Sequence, residues 1–232
     1  MLFRQLYDQA SSTYTYLLAD KTSREAVLID PVREQMPAYL QLLQELGLRL
    51  IAALDTHVHA DHITALGALR DATGCITWMG REAQAGCVSA RFTDGAEVTF
   101  GAHRLQVIYT PGHTDDSYSF YLEADGRRQV FTGDTLLIRG TGRTDFQNGS
   151  AHAQYRSLFE RLLTLPDDTL VYPGHDYKGW TVSTIGEERA CNPRLQVADE
   201  AAYVELMANL KLPNPRLMDV AVPANRACGQ AS

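Results

Sequence analysis

Apolar positions along the chain fall into short runs broken by polar turns, and most runs are too short for helices. Ser12–Ala19 carries Tyr14, Tyr16, Leu17 and Leu18, and Glu25–Ile29 stops at Asp30-Pro31. The two read as strands of a hairpin closing over Asp20–Arg24. Tyr39, Leu40, Leu43 and Leu46 recur at helical spacing, so a helix is predicted over Met36–Leu46, with Pro37 in its first turn and Gly47 ending it. Leu48–Leu54 predicts a buried strand, Ile63–Asp71 a helix ended by Gly74, Cys75–Met79 a strand and Glu82–Ala90 a short helix. Strands are expected over Glu97–Phe100, Arg104–Thr110, Ser117–Leu122, Gln129–Thr132 and Thr169–Tyr172. Helices are expected over Tyr155–Leu163 and from about Val197 to Leu210, with Pro213 and Pro215 closing that region. Strands therefore dominate both halves, with helices between them. The pattern suits an α+β chain with two sheets packed face to face and helices outside; a doubly wound sheet is the alternative.

The ends of these strand runs carry the chemistry. Leu48–Leu54 runs into Thr56-His57-Val58-His59-Ala60-Asp61-His62. Arg104–Thr110 leads to Pro111-Gly112-His113, Gln129–Thr132 to Gly133-Asp134, and Thr169–Tyr172 to Pro173-Gly174-His175. Side chains at strand ends can converge while the sheets hold them rigid. Three histidines and an aspartate within six residues, in a chain with seven histidines, point to a metal rather than to scattered surface imidazoles. His103 and His152 stand apart and read as ordinary surface or core residues. Imidazole with carboxylate suits zinc or iron, with manganese possible, and no cysteine falls in these clusters to make a thiolate site. Asp61 and Asp176 are candidates for orienting histidines or bound water. The spacing alone allows one metal or two.

The formal charge of −7 leaves no cationic excess to neutralise phosphates, which excludes nucleic acid as an expected partner. No run approaches the roughly 20 apolar residues of a membrane span, and Met1–Leu6 lacks a basic run followed by an apolar core, so the expected setting is cytoplasmic. Cys75, Cys87, Cys191 and Cys228 form no Cys-x-x-Cys pair, and free thiols are the expectation for all four.

The run Thr56–His62, with His113, Asp134 and His175 following in order, resembles the His-x-His-x-Asp-His signature of the metallo-beta-lactamase superfamily. That resemblance implies an αββα sandwich with the metal at one edge between the central sheets. Within the superfamily, Gly133–Gln147, Tyr172–Tyr177, Thr181–Arg189 and the stretch from Asn192-Pro193-Arg194 to Val222-Pro223-Ala224-Asn225 resemble the persulfide dioxygenase family, over nearly the whole chain. The expected organisation is one domain over 1–232, with residues from about 178 as a short C-terminal extension. The resemblance implies one Fe(II) on His57, His113 and Asp134, a triad that leaves positions open for O2 and a sulfur substrate. It places His59, Asp61, His62 and His175 around those ligands without touching the metal; Thr132, beside Gly133-Asp134, is expected to steady the loop that holds a ligand, and Asp176 to support the same surroundings. It implies glutathione persulfide and O2 as substrates, sulfite and glutathione as products, and a homodimer. Arg143 is the expected grip on a substrate carboxylate, because its guanidinium is a fixed fork. Tyr177 is the expected hydroxyl donor to substrate or oxygen. Animal members of the family resemble Gly-Cys-Gly-Arg where this chain has Gly140-Thr141-Gly142-Arg143, so no thiolate chemistry is available at Thr141. The rival is a glyoxalase II-like thioester hydrolase with two metals, in which His59, Asp61, His62 and His175 become ligands; its larger helical C-terminal region has little room here.

Overall fold

The computed structural model describes residues 1–212 and 217–229; Pro213 and Pro215 lie outside them. The first sheet runs in the order β1 (Leu2–Asp8), β2 (Thr13–Ala19), β3 (Glu25–Ile29), β4 (Arg49–Leu54), β5 (Ile76–Gly80) and β6 (Ala90–Phe92). Its first two pairings are antiparallel, and β3 to β6 are parallel. The second sheet is ordered β12, β11, β10, β9, β8, β7, built from β7 (Glu97–Phe100), β8 (His103–Tyr109), β9 (Tyr118–Ala124), β10 (Arg127–Gly133), β11 (Leu170–Pro173) and β12 (Ser183–Thr184).

Period-two alternation explains the layering. In β2, Tyr16 and Leu18 enter the space between the sheets while Leu17 and Ala19 face out. In β10, Phe131 faces in and Val130 out. The inner layer is aromatic: Tyr16, Phe131 and Tyr172 meet at centroid distances of 4.9–5.6 Å, with tilted, edge-on and stacked geometries. The outward face of the first sheet is covered by α1 (Met36–Glu45) through Tyr39 and Leu43, and by α2 (Leu66–Thr73) through Leu66 and Leu69. The outward face of the second is covered by α3 (Ala151–Arg156), its π-helical continuation over Ser157–Leu162, and α5 (Glu200–Ala208), through Leu158, Leu162 and Tyr203. The order helix, sheet, sheet, helix is the αββα sandwich; a doubly wound sheet is excluded.

Several elements depart from the sequence pattern. Glu82–Ala90 is not a helix: one 3-10 turn over Arg81–Ala83 ends where Gln84 takes a left-handed φ of 54°, and the chain then enters β6. α3 begins earlier than apolar spacing suggests, because the Ser150 hydroxyl accepts from the Ala153 amide 3.2 Å away and caps it. Two further helices, α4 (Ile185–Cys191) and α6 (Met218–Arg226), fall outside the helices expected from the sequence, and Pro223 sits inside α6. Cys87 and Cys228 form a disulfide across 141 residues, which corrects the expectation of free thiols; Cys75 and Cys191 are free. No spacing rule reaches that far along a chain. Among the described residues no helix is long and apolar enough to cross a membrane.

Candidate metal centre

The loops that carry the candidate ligands leave the same edge of the sandwich. His57 follows β4, His113 follows β8, Asp134 follows β10 and His175 follows β11. The turn before His113 needs glycine: Gly112 has φ +141°, and a Cβ there would lie 2.3 Å from the Gln154 backbone. One nitrogen each of His57 and His113 and one oxygen of Asp134 lie within 4.8 Å of one another.

Each of these three has its other polar atom committed to protein. The Thr56 hydroxyl donates to Asp30 Oδ2 at 3.0 Å, which leaves its lone pair to accept from His57 Nδ1 at 2.9 Å. His113 Nδ1 lies 2.7 Å from the Arg143 carbonyl, which can only accept, so Nδ1 carries a hydrogen and Nε2 is the nitrogen turned to the centre. Asp134 Oδ1 accepts from His175 Nδ1 at 2.6 Å, leaving Oδ2 free, 3.6 Å from His113 Nε2. Two imidazoles and a carboxylate aimed inward, each locked by an outer partner, fit a single hard-to-borderline cation such as Fe(II). Burial holds His57 well below the ordinary histidine value, so its ring is neutral and able to ligate.

The neighbouring cluster of His59, Asp61, His62 and His175 is organised differently. His175 spends both nitrogens on carboxylates, Nδ1 on Asp134 and Nε2 on Asp61 Oδ2 at 2.8 Å. Burial opposes charge on His175, but the two carboxylates override it and raise its pKa well above the ordinary value. A cationic imidazole thus bridges Asp61 and Asp134. His62 Nδ1 lies 3.0 Å from Asp61 and 3.2 Å from the Thr13 hydroxyl, and His59 Nε2 lies 3.2 Å from Asp30 Oδ1. Burial works against a charged His59, and Asp30 outweighs it, taking the pKa up to about 9. His59 Nδ1 and His62 Nε2 are buried without partners.

A cavity of about 690 Å³ opens over His57, His113 and Asp134, with Arg143, Tyr177 and Arg194 in its walls. Tyr177 is 70% exposed at the mouth, its ring parallel to that of His175 with centroids 6.1 Å apart. The Arg143 fork is engaged by Asp145, Nε to Oδ1 at 2.6 Å and Nη2 to Oδ2 at 2.8 Å, and its guanidinium lies over Phe146. Thr132 donates to the Leu136 carbonyl at 2.6 Å and closes the turn that carries Asp134. Asp61 reaches histidines, whereas the Asp176 carboxylate accepts from the Lys178 and Trp180 amides, both at 2.8 Å, and shapes the 177–180 loop instead. His103 and His152 lie away from the centre, near Asp20 and Glu200 respectively. Thr141 accepts from Arg194 and Tyr203 and is buried.

Sequence reasoning missed Asp30, which reads as a turn residue before Pro31. Its carboxylate accepts from the Thr56 amide and hydroxyl and meets His59. Asp30 ends a strand that pairs in parallel with the one leading to His57, a pairing that the sequence alone does not show.

Asp55, beside this network, supplies a pH test. Burial pushes its carboxyl from 3.8 up to about 8; Oδ1 accepts from Thr64 and Oδ2 has no partner. Below pH 3.8 both folded and unfolded chains hold this proton. As pH rises towards about 8 the unfolded chain releases it and the folded chain does not, so stability is lost across that window. Asp55→Asn removes this loss: its urea midpoint relative to wild type rises between about pH 4 and about pH 8, and an unchanged difference refutes the burial argument.

The metallo-beta-lactamase superfamily profile matches residues 9–86 and 88–175. The human protein described as mitochondrial persulfide dioxygenase ETHE1 is 50% identical over 230 residues, covering 99% of this chain and 89% of that one. The crystal structure of ETHE1 from Myxococcus xanthus superposes with a TM-score of 0.95 at 55% identity, covering 99% of this chain and 100% of that chain. A probable hydroxyacylglutathione hydrolase of Schizosaccharomyces pombe is more distant, 32% identical over 89% of this chain and 90% of its own length. With that likeness running through nearly the whole chain, it belongs to the persulfide dioxygenase family of the metallo-beta-lactamase superfamily.

Proposed function

We propose that this protein oxidises glutathione persulfide with O2 and water to sulfite and glutathione, at one Fe(II) per chain held by His57, His113 and Asp134. The observation that carries the single metal is His175: with both nitrogens on Asp61 and Asp134, its imidazolium supplies the positive charge that a second cation would otherwise bring. When bound, iron supplies the activation of O2 and the binding of the persulfide sulfur. The protein's own residues do the rest. Thr56 and the Arg143 carbonyl fix the two imidazole planes, and His175 and Thr132 fix the carboxylate. Arg143 takes a substrate carboxylate in exchange for Asp145, keeping the bidentate geometry. Tyr177 offers its hydroxyl at the mouth of the cavity. His59, Asp61, His62 and Asp176 hold the surrounding loops. The same reading takes 1–232 as one metallo-beta-lactamase-like domain whose segment from about 178 walls the cavity, in a cytoplasmic homodimer that engages neither nucleic acid nor membrane.

One observation favours the dinuclear thioester hydrolase: the unpartnered His59 Nδ1 and His62 Nε2 beside Asp61. Metal content and turnover decide. Protein purified without added metal is expected to carry about one iron per chain and to consume O2 with glutathione persulfide. Two zinc ions with hydrolysis of lactoylglutathione would overturn the proposal, as would bound metal with neither activity.

A further inference from the structure

The loop from His57 to Thr64 has no ladder of its own, so its buried backbone groups need partners from elsewhere. Val58 is held from the second sheet's side, its amide donating to Asp116 at 2.8 Å and its carbonyl accepting from Gln147 at 2.6 Å. At the other end the Ile63 carbonyl accepts from the Arg33 amide at 2.8 Å, and one side chain takes three further backbone groups. Asn225 Nδ2 donates to the carbonyls of His59 and His62 at 2.9 and 2.8 Å, and Asn225 Oδ1 accepts from the Thr64 amide at 2.8 Å. A fully buried amide thus spends both donors and its acceptor on three backbone groups of one loop. Asn225 comes from α6, far along the chain, in the segment Val222-Pro223-Ala224-Asn225 that the metal centre itself does not use.

The end of α6 is in turn tied down. Cys228 is disulfide-bonded to Cys87, and its carbonyl accepts from the Gly67 amide at 3.0 Å. Arg33 reaches the Gly229 carbonyl at 2.7 Å, and Arg70 reaches the Cys87 carbonyl at 2.6 Å. A Cβ on Gly229 would meet the Thr64 carbonyl oxygen at 2.1 Å, so this turn lies directly against the loop.

We propose that Asn225 is a positioning residue for the metal centre, fixing the backbone between His57 and Thr64, and that the Cys87–Cys228 disulfide fixes Asn225. The inference rests on the metal-centre reading above. Asn225→Asp tests it with shape retained: the bond to Thr64 survives, and the two histidine carbonyls lose their donor. Fe(II) release from the loaded protein is followed by competition with a chelator, well below the melting temperature, alongside KM and kcat. The expected result is about 10–100-fold weaker iron retention, the usual cost of losing an outer partner, with kcat per chain reduced and KM unchanged. Wild-type iron retention by the folded variant overturns the proposal, even if Tm falls, because a merely structural asparagine would behave so. If Asn225→Asp does not fold, Cys228→Ser decides: it leaves Asn225 in place but frees the end of α6. Faster iron release from it supports the proposal, and wild-type release overturns it. Failure of wild type itself to bind iron would instead sink the metal-centre reading.

Discussion

Asp134→Ala is expected to lose iron and activity together. The carboxylate is one of three inward donors, and it is also the anchor for His175 Nδ1 at 2.6 Å. Its removal leaves two imidazoles for the metal and a buried His175 with one carboxylate instead of two. Losing a ligand costs more than the roughly 10–100-fold typical of outer partners, so protein purified in parallel with wild type should contain no stoichiometric iron. His62→Ala is the paired control. His62 contacts Asp61 and Thr13 and reaches none of the three ligands by a hydrogen bond. It should keep most of the iron. Near-complete iron loss from His62→Ala would refute the mononuclear assignment and return the second cluster to the role of a metal site.

Gly142→Ala should disable the centre without replacing any proposed ligand. A Cβ at this position would lie 2.3 Å from the Asp134 carbonyl oxygen and 2.7 Å from His113 Nδ1. The Gly142 amide also donates to that same Asp134 carbonyl at 2.7 Å, so the two strands of the loop cannot separate without breaking the bond. Real Cβ atoms do not tolerate such distances, and two ligands must shift at once. A misplacement of about 1 Å can cost on the order of 10²-fold in rate, and the variant is expected to lose at least that in kcat/KM, together with iron. Circular dichroism and urea unfolding should show the sandwich still folded, since Gly142 lies in a loop outside both sheets. Wild-type activity in Gly142→Ala would mean that the loop around Arg143 does not position His113.

The centre is legible in the sequence because its residues are local signals. A histidine run directly after a buried strand, and histidines directly after Pro-Gly, are visible without any tertiary information. The sandwich is legible for a similar reason: β2, β3, β4, β8, β9 and β10 are short apolar runs bounded by turns. The residues that support the centre are not. Asp30, Thr13 and Asn225 act across 26 to 166 residues of sequence, through side-chain contacts that no periodicity records. Edge strand β1 mixes Arg4 and Gln5 with Leu2, Phe3 and Leu6, because only part of it meets the core. α6 contains a proline that argues against a helix, and the disulfide that follows it joins residues 141 apart in sequence. Arg143 shows a subtler limit. Its side chain drew attention in the sequence, yet the structure adds a second role for its backbone carbonyl, which orients His113.

Each sheet is made from one continuous half of the chain, residues 2–92 for the first and 97–184 for the second. The proposed ligands straddle that division: His57 belongs to the first half, and His113 and Asp134 to the second. A bound ion is therefore a bolt through both halves, and the free energy of loading it is also free energy of docking one half on the other. By mass action, its contribution grows with the logarithm of free metal concentration over the dissociation constant. Iron supply would then govern the lifetime of this protein in the cell as well as its turnover, since chains starved of metal open more often and are the first to be degraded.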